Sequence, residues 1–469
     1  MGANEKVRPS LFSGATLALG LLLAINLFNY IDRNVLAALV PSIRASFAAR
    51  GENISNQQMG YLAPAFLVSY MVGAPIFGWL GDRSSRWRLI ALGVVLWSLA
   101  SGASGLAGTF TALFLTRCFV GIGEAAYGPV APTVIADLYP VERRGRVLAW
   151  FYCAIPVGSA LGYTLGGQVT GHADVVQVAT AAAGTPPQPA GWGSAISALA
   201  LELHQRDDWR RGFYLVVIPG IVLGLLALIM RDPRRGQSES VAPAQPHKIG
   251  LSDYGRLFAI RSYTLNTLGM AAMTFAFGGL AFWMPAYLIE ERRAPSLAGI
   301  DCQTMFGGLT ALAGLLATLA GGVAGDRLRS RFSGSYFLVS GATMLIGFPM
   351  VLVFLWTPFP WDWLVIFVAV FCLFFNTGPT NTILANVTHP AIRANAFALN
   401  IFIIHILGDV ISPSIIGWIR DKTPDNSFGP AFIVVSLMIL VGGIIWLWGA
   451  RYLAEDTRLA PLRPVGQNQ

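Results

Sequence analysis

The chain has 469 residues, of which 54% are hydrophobic and only 12% are charged, with 51 glycines and 13 tryptophans. Its mean hydropathy of +0.58 excludes an ordinary water-soluble domain and indicates a polytopic membrane protein. The net charge of +8 could point to nucleic acid, but most basic residues fall in alternate links between hydrophobic segments, as the positive-inside rule describes. We therefore predict no nucleic-acid partner and place both termini on the cytoplasmic side.

About twelve segments along the chain are long and apolar enough to cross a hydrocarbon layer of roughly 30 Å. We predict that they begin near residues 15, 60, 88, 110, 147, 212, 263, 303, 335, 362, 395 and 429. The first segment follows a short polar start and shows no small-residue cleavage site, which is typical of a retained helix rather than a signal peptide. The predicted fold is an all-α membrane protein with 12 transmembrane helices.

A polar stretch divides the predicted segments into two groups of six. We expect an N-terminal bundle over residues 1–231, a cytoplasmic linker over 232–262, and a C-terminal bundle with a short cytoplasmic tail over 263–469. A long loop at about 172–211 lies outside in this topology, and Ser194 to Leu203 is compatible with a short interfacial helix. The four cysteines are scattered, without a C-x-x-C pair or metal-ligand spacing, so no metal and no cofactor are predicted.

The first segment contains the sequence Asn-Tyr-Ile-Asp-Arg at residues 29–33. Asn26, Asn29 and Arg33 follow each other at i, i+3 and i+7, and Asp32 flanks them. One side of this helix is therefore polar and cannot face lipid. Charged groups at membrane depth are costly and usually functional, so this face is predicted to line water or protein.

The fourth segment carries a second pair of charges, Arg117 and Glu124, seven residues apart. Seven residues span roughly 10 Å of helix and nearly two turns, so both side chains lie on one face. Poor hydration favours the protonated form of a carboxyl and a nearby arginine favours the ionised form, so movement of either partner changes proton occupancy. Asp32 and Glu124 are the predicted proton-coupling residues. The alternative is a permanent ion pair that joins segments one and four.

A transport cavity also needs groups that bind the substrate. The guanidinium fork matches two phosphate oxygens, so Arg33 and Arg117 are predicted to bind an anionic or zwitterionic headgroup, while the acids could meet a choline or an amine. Candidate lining residues are Asn29, Tyr127, Phe275, Trp283, Phe374, Asn376, Thr377 and Asn381. The alternative for the aromatic residues is ordinary helix packing, and for the polar residues it is hydrogen bonding between helices.

In the eleventh segment, His405 and Asp409 have i, i+4 spacing and can form a hydrogen bond on one helix face. This pair is a candidate second proton or polar site. A histidine that is hydrogen-bonded between packed helices is the alternative.

Internal repeats indicate that the two halves are duplicates. GWLGDRSSRWR at residues 78–88 returns as GVAGDRLRSR at 322–331, and PVER at 140–143 returns as PAIR at 390–393. The repeated G-x-x-x-D-R motif resembles the signature of the major facilitator superfamily. That resemblance implies two pseudo-symmetric six-helix bundles and a cytoplasmic gate. The implied gating residues are Asp82, Arg83, Arg143, Asp326 and Arg327.

Three stretches resemble the spinster-like transporters within that superfamily: residues 29–33, 117–127 and 137–145. Members of that family move lysophospholipids or sphingosine-1-phosphate, and proton coupling has been proposed for them. Gly158, Gly162, Gly166 and Gly167 also resemble a glycine signature of exchangers, although Tyr163 stands where its usual proline would be. Small residues at i, i+4 also let helices approach closely, so direction of transport is not assigned from this stripe.

Enzyme motifs such as G-x-S-x-G, H-E-x-x-H or a nucleotide-binding phosphate loop are absent from the sequence, so we predict no enzyme. The leading hypothesis is a proton-coupled transporter of a lysophospholipid or sphingoid amphiphile, expected to be a monomer in the cell (inner) membrane. The second hypothesis is a major facilitator symporter or exporter of a small organic anion or drug. The third is a transport-inactive sensor or a lipid scramblase.

Overall fold

The computed structural model describes residues 14–81, 83–139, 147, 150–183, 209–234, 251–297, 299–389 and 392–463. The predicted interfacial helix at Ser194 to Leu203, most of the linker, Asp82 and Arg143 lie outside these residues. Within the described part, the architecture is helical and the sole extended pairing is an isolated bridge between Leu297 and Ile300.

Eight helices are found in the described residues of the first half of the chain. They are α1 (Gly14–Ala49), α2 (Asn56–Gly60), α3 (Leu62–Gly81), α4 (Arg86–Leu106), α5 (Phe110–Ala125), α6 (Ala131–Leu138), α7 (Ala154–Ala183) and α8 (Trp209–Leu228).

Ten further helices follow in the part of the second half that the structure describes. They are α9 (Leu251–Phe258), α10 (Arg261–Ala286), α11 (Cys302–Arg329), α12 (Ser335–Trp356), α13 (Trp361–Phe374), α14 (Thr377–Val387), α15 (Arg393–Leu407), α16 (Ser412–Lys422), α17 (Gly429–Gly449) and α18 (Leu453–Leu459). A π-helical turn over Tyr287–Glu291 extends α10, and a 3₁₀ turn over Ala460–Leu462 follows α18.

The predicted segments correspond closely to these helices. Ten stretches are long and apolar enough to cross a membrane by length and composition, counted over the described residues. The two predicted segments outside that set are the fourth, which breaks after Ala125 into α5 and α6, and the fifth, which is the glycine-containing α7. Segments two, ten and eleven are each built from two consecutive helices, because short breaks interrupt them.

The repeated G-x-x-x-D-R motif begins inside helices rather than in the links between them. Its second copy, residues 322–327, lies inside the last turns of α11, which ends at Arg329. The first copy begins within α3, which ends at Gly81. In the second copy the helix continues through the whole motif, so the link between α11 and α12 begins only after it.

Apolar side chains cover the outside of the helices. Leu225, Ile218, Leu319 and Trp356 are 53, 72, 71 and 71% exposed, which is the arrangement expected for a protein surrounded by lipid. The buried side chains of both halves include large aromatic residues such as Trp97 and Trp446. The fold therefore has an apolar core and an apolar outer surface. Charged side chains that are buried among these helices require a specific explanation.

The two halves pack against each other along α7 and α11, and they also meet near the ends of α1, α10 and α16 and at the start of α2. We call this end of the molecule the far face, because it is opposite the face where the described chain begins and ends. Gln303 donates a hydrogen bond to the Ala38 carbonyl at 2.7 Å, and the Tyr163 hydroxyl donates to the Ala281 carbonyl at 2.7 Å. The polar contacts between the halves thus cluster toward the far face.

Glycine stripes bring helices close together. A Cβ on Gly162 would lie 2.6 Å from the Ile31 carbonyl oxygen, and one on Gly158 would lie 2.5 Å from the Tyr30 Cβ. Across the two halves, a Cβ on Gly307 would lie 2.7 Å from the Ala160 carbonyl oxygen. The α7 stripe therefore fits the close-packing interpretation, since α1 lies directly against it.

Candidate functional site

A charged cluster joins α1 and α5 in the interior of the first half. Arg33 Nε donates a hydrogen bond to Glu124 Oε2 at 2.7 Å, and a second nitrogen, Arg33 Nη2, contacts the same oxygen. The Arg33 side chain is 26% exposed, whereas that of Glu124 is 1% exposed. Arg33 therefore covers the acid and stands between it and the space outside the helix packing.

Asp32 lies on the neighbouring position of α1 but faces a different partner. The Ser101 hydroxyl of α4 donates a hydrogen bond to Asp32 Oδ1, while Oδ2 has no hydrogen-bond partner among the described residues. Asp32 is 1% exposed. A buried carboxyl with one unused oxygen is an expensive arrangement, which makes it a suitable place to take up a proton.

Arg117 completes this cluster from α5. It is 1% exposed, and its Nε and Nη1 atoms have no hydrogen-bond partner in the described part of the chain. Asp32 and Glu124 both interact with it electrostatically. The structure thus brings together the four residues predicted for proton coupling and headgroup binding, and the Asn29 side chain lies beside Glu124.

Three aromatic rings surround the Arg33 guanidinium. Its Cζ lies 5.1 Å from the ring centroid of Tyr30, 4.6 Å from that of Phe66 and 5.6 Å from that of Tyr70. These distances are within the range of cation–π attraction. Sequence reasoning missed Phe66 and Tyr70, because α3 shows no charged residue that would draw attention to this stretch.

The His405–Asp409 pair lies at a break in the eleventh segment. His405 Nδ1 is 2.9 Å from Asp409 Oδ1 and 3.0 Å from Oδ2, and the two side chains are 31 and 20% exposed. Gly408, between α15 and α16, packs against Thr274 of α10. The predicted i, i+4 contact is therefore present, beside a helix end rather than within a continuous helix.

The candidate lining residues separate into buried and accessible groups. Tyr127, Phe275, Trp283 and Asn376 are buried; the Trp283 Nε1 group, for example, donates to the Pro413 carbonyl at 2.8 Å. Tyr127 donates to the Leu22 carbonyl at 2.8 Å, and Asn376 accepts from Thr343 at 2.9 Å. The remaining accessible candidates are Phe374, Thr377 and Asn381.

Phe374 of α13 forms an edge-to-face pair with Phe277 of α10, with ring centroids 5.0 Å apart. Thr377 and Asn381 are exposed at the start of α14, and the Asn381 side chain donates to the Thr377 carbonyl at 2.7 Å. These four residues give the second half an accessible surface with both apolar and polar groups.

Three of the predicted gating residues are described. Arg83 is exposed and lies over the Trp79 ring, with Cζ 4.2 Å from the centroid. Asp326 accepts a hydrogen bond from the Tyr336 hydroxyl at 2.8 Å, and Arg327 is exposed. These contacts lie within one half each, so in this state the described gating residues do not join the two bundles.

The far face carries an ionic network that the sequence analysis did not anticipate. Arg44 of α1 and Arg420 of α16 share Glu290 Oε2, at 2.5 and 2.6 Å. Arg420 also donates to the Asn56 side-chain oxygen at 2.9 Å, and Asp421 accepts from the backbone N–H groups of Asn56 at 2.9 Å and Gln57 at 2.8 Å. We call Arg44, Asn56, Glu290, Arg420 and Asp421 the far-face network. It closes this face by joining the halves directly.

A metal centre does not emerge from this geometry: within the described ranges, no three His, Cys, Asp or Glu side chains group closely enough to bind an ion. The described site contains acids, guanidinium groups and aromatic rings instead.

The sequence model of the Major Facilitator Superfamily matches residues 22–413. Human protein spinster homolog 1 is 33% identical over 483 aligned positions, covering 96% of this chain and 84% of that protein. The chain belongs to the spinster family of the major facilitator superfamily. It is therefore an integral multi-pass membrane transporter and not an enzyme.

A further relative agrees with this membership, and two solved structures share the fold. Protein spinster homolog 1 of Xenopus laevis is 32% identical over 95% of this chain and 82% of its own length. A bacterial homolog of the human lysosomal transporter spinster, in an inward-facing and unoccupied conformation, has a TM-score of 0.75 at 21% identity, with 95% and 98% of the two chains covered. A D-xylose–proton symporter has a TM-score of 0.64 at 17% identity, with coverage of 92% and 96%. At these identities the two structures show the common fold.

Proposed function

We propose that this spinster-family protein is a secondary active, proton-coupled transporter of a lysophospholipid or a sphingoid-type amphiphile. The observation that carries the proposal is the buried cluster of Asp32, Arg33, Arg117 and Glu124, with unpartnered polar atoms on Asp32 and Arg117 among the described residues. Incomplete hydrogen bonding inside a membrane protein is costly. A bound proton or headgroup supplies the missing hydrogen-bond partners in this cluster. The unpartnered groups therefore have a functional explanation.

The mechanism is alternating access between two bundles around a site at the midplane. In the state described here, the far-face network joins the bundles on one side. With the termini in the cytoplasm, as we propose, the far face is the external one, and the described state is open to the cytoplasm. The two copies of the G-x-x-x-D-R motif, which carry Asp82 and Asp326, close the cytoplasmic side in the opposite state.

Proton coupling follows from the partners of Glu124. Arg33 pairs with its ionised form, so a proton or a substrate cation that neutralises Glu124 weakens this contact and frees the guanidinium for a phosphate group. Asp32 is the second proton site, and the His405–Asp409 pair is a third, more exposed one. This arrangement links proton uptake to headgroup binding without a nucleotide.

The direct test is saturable uptake of a labelled lysophospholipid into proteoliposomes containing the purified protein, with sphingosine-1-phosphate and water-soluble organic anions as competitors. Competition by amphiphiles and not by soluble anions supports the proposal. The second candidate function, transport of a small organic anion, is favoured by the Arg33–Arg117 pair. Inhibition by soluble anions with no lysophospholipid uptake above protein-free liposomes would establish that function instead. Movement that neither saturates nor responds to an imposed gradient would indicate a scramblase.

A further inference from the structure

The Arg33 guanidinium is surrounded in the way that proteins surround a bound cation. Aromatic rings lie around it in addition to its ion-pair partner, Glu124. Tyr30, Phe66 and Tyr70 place their ring centroids between 4.6 and 5.6 Å from its Cζ. Glu124 supplies a carboxylate oxygen 2.7 Å from Nε. A positive group is therefore enclosed by three aromatic rings and one acid.

This set of groups is the one that proteins use to recognise quaternary ammonium ions. Such ions have no N–H groups, so aromatic faces and a nearby carboxylate bind them better than hydrogen-bond acceptors alone. Tyr30 and Tyr70 are half-buried and Phe66 is buried, which provides desolvated rings with access from one side. Resting on the lysolipid function proposed above, we infer that Tyr30, Phe66, Tyr70 and Glu124 form a cage for the quaternary ammonium of a choline-type headgroup, and that Arg33 fills this cage in the substrate-free state.

The packing around Tyr70 leaves space for its ring in this position. A Cβ added to Gly128 would lie 2.3 Å from the Tyr70 hydroxyl oxygen. The glycine therefore gives the tyrosine room to lie close to the chain that follows α5. Phe66 and Tyr70, one turn apart on α3, are stacked with ring centroids 6.2 Å apart, so two walls of the cage come from one helix face.

A zwitterionic headgroup can replace the internal contact without leaving a charge unpaired. Its ammonium group takes the place of the Arg33 guanidinium between the rings and beside Glu124. The displaced Arg33, already 26% exposed, then pairs with the phosphate of the same headgroup. One ion pair inside the protein is exchanged for two between protein and substrate, so a choline-type headgroup is selected over a purely anionic one.

The test compares two ligands of the same shape in purified wild-type protein. One is a labelled lysophosphatidylcholine, and the other is its neutral isostere, in which a 3,3-dimethylbutyl group replaces the choline. We expect the isostere to bind about tenfold more weakly, within the range of a desolvated cation–π site. Equal binding of the two ligands would overturn the cage, independently of any variant.

Variants of Tyr70 then test whether its ring causes the difference in affinity between the two ligands. Tyr70→Leu removes the ring and is expected to reduce the preference for the choline ligand severalfold, while Tyr70→Phe keeps the ring and the preference. A preference that survives Tyr70→Leu unchanged would remove this residue from the cage. Uptake of both ligands with equal efficiency would contradict the cage and leave the transport function standing, whereas uptake of neither would contradict the proposed function itself.

Discussion

Two arginines in the membrane interior have very different surroundings. Arg33 is partly exposed and bonded to Glu124, whereas Arg117 is buried and has unpartnered nitrogens among the described residues. An arginine that a ligand can reach is suited to bind a headgroup, and one buried beside two acids is suited to adjust their charge. The sequence spacing placed both residues on polar helix faces but could not separate these two roles, because spacing does not report accessibility.

Replacement of Arg33 by alanine is expected to weaken binding of a phosphate-bearing lysolipid by tenfold or more, because a hydrogen bond to a charged group contributes about 1.5 to 3 kcal/mol. The measurement is equilibrium binding of labelled lysophospholipid to purified protein. Arg451→Ala is the matched control, since Arg451 is exposed between α17 and α18 and belongs to none of the predicted sites. Unchanged affinity in Arg33→Ala would remove this arginine from the headgroup site.

At the scale of single helices, the positions of α1 and α7 depend on the close approach of these two helices to each other. Gly158 and Gly162 lie against Tyr30 and Ile31, the same part of α1 that carries Asp32 and Arg33. The position of the charged cluster is therefore set by a glycine stripe on a helix that contributes no charge to it.

Gly162→Ala tests this dependence. Its Cβ would lie 2.6 Å from the Ile31 carbonyl oxygen and 2.7 Å from the Asn34 Cβ, so the helices must separate. Overpacking of this kind typically costs about 1 to 3 kcal/mol, and we expect a lower Tm in detergent together with reduced transport. Gly308→Ala is the control, because a Cβ there meets nothing within 4 Å. Equal thermal stability of the two variants would show that α1 and α7 do not need the glycine contact.

The sequence predicts the secondary-structure elements well and the cavity-lining residues less well. The predicted segment starts at 110, 335 and 429 coincide with those of α5, α12 and α17, because apolar runs and their polar links are local signals. Tyr127 and Trp283 are instead buried in helix packing. Aromatic residues serve packing and ligand contact equally well, so their identity alone does not tell which side they face.

At the scale of the whole molecule, the far-face network holds one of the two states required for alternating access. Glu290 is shared by Arg44 from one half and Arg420 from the other. Such a contact was invisible in the sequence, since its members are distant along the chain and no local spacing connects them. The division into bundles at 1–231 and 263–469, with both termini in the cytoplasm, remains a prediction.

Glu290→Gln should shift the conformational equilibrium away from the far-face-closed state, because two arginines then face each other without a shared acid. We expect a change of about tenfold in the population ratio, equivalent to roughly 1.4 kcal/mol. The readout is the distance distribution between spin labels at the exposed positions 61 and 425, in a background where Cys118, Cys153, Cys302 and Cys372 are serine.

Glu291→Gln is the matched control for this experiment. The neighbouring acid binds Ser427 at 3.0 Å and the Phe428 N–H at 2.6 Å, both within the second half. Its loss should leave the distance distribution unchanged. Identical distributions in wild type and Glu290→Gln would contradict the role of the far-face network.

The most direct test of the account is lysophospholipid uptake into proteoliposomes under an imposed proton gradient, in wild type, Asp32→Asn and Glu124→Gln. We predict gradient-dependent uptake by wild type and loss of that dependence in both variants, which should remain folded and inserted. Asp32→Asn can keep its hydrogen bond from Ser101, so a defect in it reports the missing charge rather than lost packing. Undiminished uptake by both variants, still responsive to the gradient, would contradict the assignment of Asp32 and Glu124 as the proton-coupling residues.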